Sequence, residues 1–521
     1  MSPAPAEEAR AAELVATLCL AADLGSGLPL EHGLHGALVA ARIAERLGVD
    51  APTARQTYYA ALLNHAGCTT DAHVTPEVFG SPLITNLLPV VNGSRREVAA
   101  GLLRALPDPG GSPPARAWQT ARRLPRMATE QRPHLSAMCE VAGMLAGGLG
   151  LPDATAGMLA LASDRWDGHG PLRRARREEI PLAMRIMHVA TDSVLQCMLG
   201  GPEHAARLAR ERAGAAFDPE VAACLADDAD ELLAVEEGAS LWVAVLDAEP
   251  GPQHLLRGEE IDQALATVGA FADLVSPYLT GHAAAVAALA GDAAQRCGAA
   301  VDAVEVRRAG LVADVGRVTV GSEVWQRPGP LSPADWEEVR LHPYHGERVL
   351  SRAPRLAGLA RLAGAHHERM DGSGYHRGST GAALPLGARL LAAADVYAAM
   401  REPRPYRPSL TPADAVAQIA AEVDAGRLQA DVAAAVVEAA GERPPSMSRP
   451  AGLTEREAQV IALAARGLQT KQIARALGIS AKTADNHLQS AYRKAGVSSR
   501  AAATLFAMQH GLVAWGELPM A

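Results

Sequence analysis

The sequence predicts an all-α protein made of two related helical bundles followed by a small four-helix domain. Three observations support this prediction. Apolar residues recur at helical spacing in segments such as LHGALVAARIAERLG, whereas the alternating pattern of β-strands is scarce. Hydrophobic residues make up 49% of the chain but aromatic residues only 3%, so we expect cores of Ala, Leu and Val, as in packed helices. Two stretches of the chain also resemble each other closely enough to be copies of one domain.

Length and composition limit the class of protein. A chain of 521 residues suggests about three domains. Charged residues make up 21%, which is typical of a soluble globular protein rather than a disordered one. No apolar stretch reaches about 18 residues, and the first residues, MSPAPAEEARAAEL, are acidic, so we expect a cytoplasmic protein without a membrane partner. The six cysteines form no CxxC pair, which argues against a disulfide framework or a cysteine zinc site.

Two segments rich in Pro and Gly divide the chain. LDAEPGPQ at 246–253 and GERPPSMSRPAG at 441–452 separate stretches with helical periodicity and therefore read as linkers. The predicted domains are 1–245, 246–443 and 449–521.

Charge is distributed unevenly between these domains. From Arg449 onward, nine Lys or Arg residues face four acidic residues, a net charge of +5, and all the lysines of the chain lie there. Because the whole chain carries −9, the residues before Arg449 must carry −14. A basic tail on an acidic body favours a nucleic-acid-binding domain, although chance placement of a few lysines would give the same sum.

The repeat is visible in two blocks. RWDGHG (165–170) and EEIPLAMRI (178–186) match RMDGSG (369–374) and AALPLGARL (382–390), both at an offset of 204 residues. Upstream, EHGLHGALVAARIAERLG from Glu31 parallels GHAAAVAALAGDAAQRCG from Gly281. The body is therefore predicted to be two copies of one helical domain.

The second copy contains scattered imidazoles and carboxylates of the kind that bind Fe, Mn or Zn. Because they are tens of residues apart, they would have to converge from separate helices of a bundle. Spacing alone leaves two alternatives open, since scattered His and Asp are also common as surface or core residues. The set is His282, Asp314, His342, His366, His367 and Asp395.

The local sequences around these residues identify a family. GLVADVGR (310–317), PGPLSPADWEEVRLHP (328–343), AHHERMDGSGYHRG (365–378) and LPLGARLLAAADVYAAM (384–400) together resemble the HD-GYP branch of the HD-domain phosphohydrolases over about 270–440. The resemblance implies an all-helical bundle that binds two or three divalent metal ions, usually iron or manganese, and hydrolyses cyclic di-GMP.

The resemblance also implies roles for single residues. His282 would be the first metal ligand and Asp314 the aspartate that bridges the ions, with the other four residues of the set completing the site. Asp314 and Arg317 would be the catalytic residues. Arg317 replaces the family's lysine, at a position where a cation can neutralise phosphate oxygens.

Three further positions depart from the family pattern. Ala313 stands where the family has the histidine of its His-Asp pair, so one imidazole is missing, and either water or His345 replaces it or the cluster is lost. His345 is otherwise interpreted as a helix-surface residue. The loop reads Gly374-Tyr375-His376 instead of Gly-Tyr-Pro, and Tyr278 replaces the glutamate of three-metal members, so a third ion is not expected.

The first copy departs much further. Its His-Asp position reads Asn64–His65, its double histidine reads Ala162–Ser163, and Thr191 stands at the position of Asp395, so only His32 matches a ligand. A local group of His65, Cys68, Asp71 and His73 is interpreted as a capped helix end rather than a metal site. This copy is predicted to be a metal-free fold used for dimerisation or ligand sensing.

Residues 453–513 predict four short helices. Thr454 and Glu457 form a capping box that opens the first helix, and Gly467 ends it. Thr470 is expected to cap the second helix and Ser480 the third. On the third helix, apolar residues (Ala484, Leu488, Ala491, Ala495) line one face and polar residues (Lys482, Asp485, Asn486, Gln489, Arg493) line the other.

This whole segment resembles the LuxR-type helix-turn-helix domain, which implies that the third helix enters the major groove of double-stranded DNA. Periodicity alone would equally allow a solvated amphipathic helix. The resemblance places Asp485, Asn486 and Gln489 at base-facing positions and implies phosphate contacts for Thr470, Lys471, Lys482, Thr483, Arg493 and Lys494. The fourth helix, 499–510, with Ala501, Leu505, Met508 and the nearby Val513, is expected to supply a homodimer face.

The leading hypothesis is a dimeric transcription regulator whose HD-type body senses a nucleotide or a metal. Two alternatives are a metal-dependent phosphodiesterase acting on cyclic di-GMP or a related nucleotide, and a catalytically inactive scaffold. Ala313 separates them, because a site that needs its full ligand set would be inactive.

Overall fold

The computed structural model describes residues 8–67, 87–108, 110–235, 238, 240–444, 450–510 and 512–513. These residues form helices joined by turns and loops, with one two-stranded sheet, which confirms the predicted all-α class. In the described part of the chain, no helix is both long and apolar enough to cross a membrane.

The chain folds into two compact units. The first comprises the described residues up to Thr280, together with Val315–Trp325 and Val349–Arg355. The second comprises Gly281–Asp314, Gln326–Arg348 and the described residues from Leu356 onward. The predicted boundaries at 245 and 449 stay predictions.

The elements up to Thr280 are helical except for two short strands. They are β1 (Glu8–Arg10), α1 (Ala11–Ser26), α2 (His32–Arg46), α3 (Ala51–Leu63), α4 (Arg95–Ala105), α5 (Pro113–Gly148), α6 (Asp153–Met158), α7 (Leu182–Gly200), α8 (Pro202–Arg212), α9 (Pro219–Asp227), α10 (Ala229–Leu232), α11 (Leu241–Asp247), β2 (Leu255–Arg257) and α12 (Glu259–Asp273).

The later elements are all helical. They are α13 (His282–Arg296), α14 (Ala303–Val312), α15 (Ser322–Trp325), α16 (Pro333–Leu350), α17 (Ala357–Ala363), α18 (Leu386–Arg401), α19 (Pro412–Asp424), α20 (Ala430–Ala439), α21 (Glu455–Ala465), α22 (Thr470–Leu477), α23 (Ala481–Ala495) and α24 (Arg500–Gln509).

The sequence did not predict the small sheet. Strands β1 and β2 pair antiparallel, with Ala9 opposite Leu256, and so join the start of the first unit to a segment about 245 residues later in the chain. Three-residue strands carry too short an alternation to be recognised by period.

The helices at the centre of each unit follow the predicted repeat. In the first unit α2 packs on α3 and α7, and in the second α13 packs on α14 and α18. Helices α2 and α13 both have 15 residues and both begin with a histidine that follows a left-handed residue, Glu31 at φ 71° and Gly281 at φ 83°. Helices α7 and α18 both begin directly after a proline, Pro181 and Pro385.

The four C-terminal helices α21 to α24 begin and end close to the predicted residues. The capping box of Thr454 and Glu457 is present, and Ser480 accepts a hydrogen bond from the backbone of Thr483 at 3.0 Å. One cap was wrong. Gln469, not Thr470, caps α22, because its backbone donates to the Gln472 side chain at 2.8 Å, which leaves Thr470 as the first helical residue.

Candidate metal centre and nucleic-acid interface

The second unit brings together the six predicted ligands from five different helical segments. His282 is the first residue of α13, Asp314 follows α14, and His342 lies on α16. His366 and His367 directly follow the end of α17, and Asp395 lies on α18. Every one of these side chains is buried or nearly so, with at most 11% of its surface exposed.

Asp314 lies at the centre of the group. Its Oδ1 is 3.3 Å from His342 Nε2 and 3.2 Å from His366 Nε2, and its Oδ2 is 3.4 Å from His282 Nε2. His282 Nε2 is in turn 3.1 Å from Asp395 Oδ1.

The ligand atoms form two groups that share Asp314. One group is Asp314, His342, His366 and His367, and the other is His282, Asp314 and Asp395; within each, the atoms lie within 4.8 Å of one another. A carboxylate shared by two groups of nitrogen and oxygen donors is the arrangement that bridges two divalent ions.

Hydrogen bonds on the outer side of the imidazoles show that a cation fits. His342 Nδ1 is 2.6 Å from the carbonyl of Val339, and His366 Nδ1 is 2.5 Å from the carbonyl of Ala363. Because a carbonyl can only accept, each Nδ1 carries the proton, and a neutral ring then turns the lone pair of Nε2 inward. These two Nε2 atoms are 3.3 Å apart and both lie beside an oxygen of Asp314, so three atoms that can coordinate a cation converge at one point.

Glu402 fixes His282 in the same way, although it was not among the predicted site residues. Both of its carboxylate oxygens contact His282 Nδ1, at 2.9 and 3.0 Å, and Arg404 donates to Glu402 at 2.8 Å. A carboxylate behind a ligating histidine orients the ring and raises its basicity. The available signal was position in the sequence, because Glu402 follows Asp395 by seven residues and comes directly after the last residue of α18.

The electrostatics favour the protonation states that bind metal. Burial alone would raise the pKa of Asp395, but the imidazoles of His367 and His282 outweigh it and hold that pKa below its usual range. Burial, assisted by the neighbouring His366, lowers the pKa of His367 well below its usual value. A carboxylate and a neutral imidazole are the forms that coordinate a divalent ion.

His345 does not replace the missing histidine of Ala313. Ala313 is buried at the end of α14, 1% exposed. His345 is half-buried with its ring 5.4 Å from that of Tyr344, and it belongs to neither group of candidate ligands among the described residues. The site therefore has one protein ligand fewer than the family pattern.

The C-terminal helices present the predicted polar face to solvent. Lys482, Asp485, Asn486, Gln489 and Arg493 on α23 are all exposed. The opposite face packs against α21 and α22 through Ala484 and Leu488, which are buried with Val460 and Ile473. Lys471 on α22 is also exposed, while Thr470 and Thr483 are half-buried.

Lys494 has a structural contact that the sequence analysis did not predict. Its ammonium lies 2.7 Å from the buried carboxylate of Glu457 and donates to the Gly452 carbonyl at 3.0 Å. A phosphate contact by Lys494 stays a prediction, but that contact would compete with an ion pair inside the domain.

The predicted dimer face is only partly exposed. Leu505 on α24 is 60% exposed, whereas Met508 and Val513 are buried, with Val513 in a cluster with Ala465 and Ala507. Dimerisation stays a prediction.

Family models match two regions of the chain. Residues 268–432 match the HD domain, and residues 451–507 match the bacterial regulatory proteins of the luxR family. This chain carries an HD domain followed by a luxR-family domain. The HD-domain match contains every residue of the candidate metal site and Glu402, and the luxR-family match contains α21, α22 and α23.

The similar proteins are phosphodiesterases of cyclic dinucleotides. The 3'3'-cGAMP-specific phosphodiesterase 3 of Vibrio cholerae is 28% identical over 408 residues, which cover 76% of this chain and 88% of that protein. The cyclic di-GMP phosphodiesterase of Thermotoga maritima is 36% identical over 129 residues, 24% of this chain and 35% of that protein. A crystal structure of a cyclic GMP-AMP specific phosphodiesterase of V. cholerae matches the fold with a TM-score of 0.56 and 22% identity, over 84% of this chain and 99% of that one.

Arg317 falls within the HD-domain match but groups with the first structural unit. It lies on the 3-10 turn Val315–Thr319, is 5% exposed, and its guanidinium lies over the Trp325 ring at 5.6 Å from the centroid. Its role as a phosphate-binding catalytic residue stays a prediction.

In the first copy, the group of His65, Cys68, Asp71 and His73, predicted to be a capped helix end, lies mostly outside the described residues. Cys68, Asp71 and His73 lie outside the described residues, while His65 is half-buried just after α3.

Proposed function

We propose that this protein is a DNA-binding transcription regulator whose HD domain holds divalent metal and binds a cyclic dinucleotide. The substrates that name its relatives support the ligand class, and the luxR-family domain supports DNA as the partner. Iron or manganese suits the donor set of imidazoles and carboxylates.

The observation that carries the proposal is a contact between the two domains. Within the second unit, α24 of the luxR-family domain packs beside the 3-10 turn Gly381–Ala383 of the HD domain. This turn is held by a hydrogen bond of 2.9 Å from Gly381 to the Met370 carbonyl, and it closes the loop that begins at His366 and His367. A ligand that reorders this loop would therefore change the surface on which α24 rests, which gives the two sites a physical connection.

The DNA-binding part rests on an exposed face of α23 that combines cations with amide and carboxyl groups. In this proposal Asp485, Asn486 and Gln489 contact base edges, and the cations at both ends of the helix contact phosphates. The apolar face of α23 fixes its position against α21 and α22.

Binding of selected DNA by the full chain tests the proposal. Duplexes enriched from a random pool would be titrated with the Mn²⁺-loaded protein, with and without 3'3'-cGAMP or cyclic di-GMP, and followed by fluorescence anisotropy. We expect a nucleotide to change DNA affinity by about fivefold or more, the usual lower range of coupling between sites. His366→Ala should abolish this change, while Glu337→Ala, at an exposed position of α16, should not. DNA affinity that is indifferent to both nucleotides would refute the sensing role.

A phosphodiesterase is the second candidate, favoured by the two ligand groups that share Asp314. Residues His282, Asp314, Asp395 and the three remaining histidines would hold the ions, which when bound activate water and bind the phosphodiester oxygens. Glu402 and the carbonyls behind His342 and His366 would keep the imidazoles oriented.

Hydrolysis of 3'3'-cGAMP by the natural protein and by Ala313→His separates the two candidates. If the missing imidazole has inactivated the site, only Ala313→His gains Mn²⁺-dependent turnover. The matched control, Ala334→His, places a histidine on the exposed surface of α16 and should gain none. Turnover by the natural protein would instead favour the phosphodiesterase.

A further inference from the structure

The first unit contains a cavity that neither the metal site nor the DNA interface uses. Its volume is about 760 Å³, within the roughly 300–1,000 Å³ usual for small-molecule sites. Helices α1, α2, α3, α5 and α7 contribute to its wall, together with residues 318–323, and all of these belong to the first unit. Leucines supply much of the wall, among them Leu24, Leu63, Leu135 and Leu159.

The cavity occupies the place of the metal site in the repeat. Its wall contains His32, His65, Ala162, Ser163 and Thr191, the five positions that the repeat aligns with ligands of the second copy. Both carboxylates are replaced, one by His65 and the other by Thr191, and the two adjacent histidines are replaced by smaller residues. Among the described residues, no group of three or more candidate metal ligands lies in this unit. The substitutions have removed the anionic ligands and opened space.

Several buried polar atoms in the wall lack a hydrogen-bond partner in the described part of the chain, and a nitrogen of His32 is one of them. His32 is 2% exposed, and its Nδ1 has no hydrogen-bond partner in the described part of the chain. A buried polar atom left unpaired costs free energy, so a bound molecule that hydrogen-bonds this nitrogen would recover that free energy. The neighbouring ring of His65 lies 5.5 Å away between centroids and does not supply the bond.

Three imidazoles of the wall, those of His32, His65 and His188, carry no charge at neutral pH. Burial lowers the pKa of His32 to about 3, and it lowers those of His65 and His188 to about 4. A neutral imidazole offers one donor and one acceptor and no charge with which to attract an anion.

Three of the four charged residues of the wall, Asp164, Arg165 and Asp192, are already bound to the protein, and the fourth, Glu323, is exposed. Asp164 accepts hydrogen bonds from the backbone of Arg174 and Ala175 at 3.2 and 3.0 Å. The guanidinium of Arg165 pairs with Asp167 at 3.3 Å and donates to the Gly93 carbonyl.

Asp192 is likewise committed. It forms a buried ion pair with Arg212 and accepts from Asn92 at 3.1 Å. A phosphate or a carboxylate entering the cavity would therefore have to break an existing ion pair to gain a cation.

We infer that this cavity binds an uncharged, mainly apolar organic molecule that carries a hydrogen-bonding nitrogen or oxygen for His32. Its apolar body would contact the leucine side chains, and its polar atom would pair with the buried imidazole. The inference does not rest on the proposed function, because it concerns another unit and another class of ligand.

The uncharged fluorescent amine N-phenyl-1-naphthylamine is a suitable probe, titrated with the full-length protein. We expect saturable fluorescence enhancement at one probe per chain. Ala162→Phe, which fills the cavity, should weaken probe binding about tenfold or more. The same substitution at the exposed α4 residue, Ala100→Phe, should leave it unchanged. If Ala162→Phe loses its helical circular dichroism, Ser163→Leu fills the same space with less bulk and carries the test.

Two results would overturn the inference. One is the absence of saturable enhancement, or an enhancement that the cavity-filling variants leave intact. The other is displacement of the probe by cyclic di-GMP, which would show that the cavity accepts an anionic nucleotide. Saturable binding that is sensitive to filling and insensitive to cyclic di-GMP supports the inference.

Discussion

Removing the carboxylate of Glu402 should weaken metal binding without removing a metal ligand. Glu402 contacts His282 Nδ1 through both oxygens, at 2.9 and 3.0 Å, and so favours the tautomer with the proton on Nδ1. The other ring nitrogen, Nε2, lies beside Asp314 and Asp395 and is then available to a metal ion. Loss of such an outer carboxylate typically lowers metal affinity about 10- to 100-fold. Glu402→Ala should therefore raise the Kd for Mn²⁺ by this factor, equivalent to about 1.4–2.8 kcal/mol.

Two further variants separate the orienting effect of Glu402 on His282 from a general loss of negative charge. In Glu402→Gln the amide oxygen still accepts the hydrogen bond, so this variant should lose less affinity than Glu402→Ala. Glu337→Ala removes an exposed carboxylate that pairs with Arg340 on the surface of α16, and it should bind Mn²⁺ normally. Calorimetric titration of the metal-free full chain measures all three. Equal Mn²⁺ affinity in Glu402→Ala and the natural protein would refute the reasoning, as would an equal loss in the surface control.

Three other predictions concern the DNA interface and stability. Lys482→Ala should weaken binding to every duplex and lower the slope of log affinity against log salt by about one, whereas Asp485→Ala should relax base preference, as measured on a panel of duplexes. Burial alone would raise the pKa of Glu457, but hydrogen bonds from the Lys494 ammonium, the Ser490 hydroxyl and the Thr454 backbone N–H hold it at about 2. Since this lies below the ordinary value of 4.5, its stabilisation is complete above about pH 4.5 and is lost as the pH falls towards 2. Glu457→Gln should therefore reduce protection of α21–α23 from hydrogen exchange by about 1.5–3 kcal/mol at pH 7, and by less at pH 3. Arg212→Met should destabilise the first unit by about 3–5 kcal/mol in denaturant unfolding, because it leaves the buried Asp192 without its cation; a loss below about 1 kcal/mol would contradict this.

Features that depend on neighbouring residues could be predicted from the sequence. The capping box of Thr454 and Glu457 and the turn at Gly478 are encoded within a few residues and are present in the structure. The one wrong cap shows the limit of such rules. Gln469 is not a preferred cap, but the Gln472 side chain accepts a hydrogen bond from its backbone N–H, so a local side-chain contact decided against residue preference.

Features that depend on long-range packing could not be predicted in this way. The ion pair of Lys494 with Glu457 joins α23 to the start of α21, and a sequence pattern showed only a cation on an amphipathic helix. The spacing of Glu402 from Asp395 was visible, but its contact with His282 depends on how α13 packs against the end of α18. The six candidate ligands could be selected because the family resemblance supplied the packing that the residues alone do not encode.

Comparison of the two copies indicates that the metal site is not needed to build the fold. Helices α2, α3 and α7 form the same packed group as α13, α14 and α18, yet the first copy has no carboxylate at either aligned ligand position. In the second copy, His342 and His366 are buried beside Asp314 inside the protein, and burying such ionisable groups together costs free energy that a bound cation would offset. Since the helices can pack without these residues, their presence reduces the stability of the metal-free state. By mass action, Mn²⁺ should therefore raise the unfolding temperature of the second unit and leave that of the first unchanged.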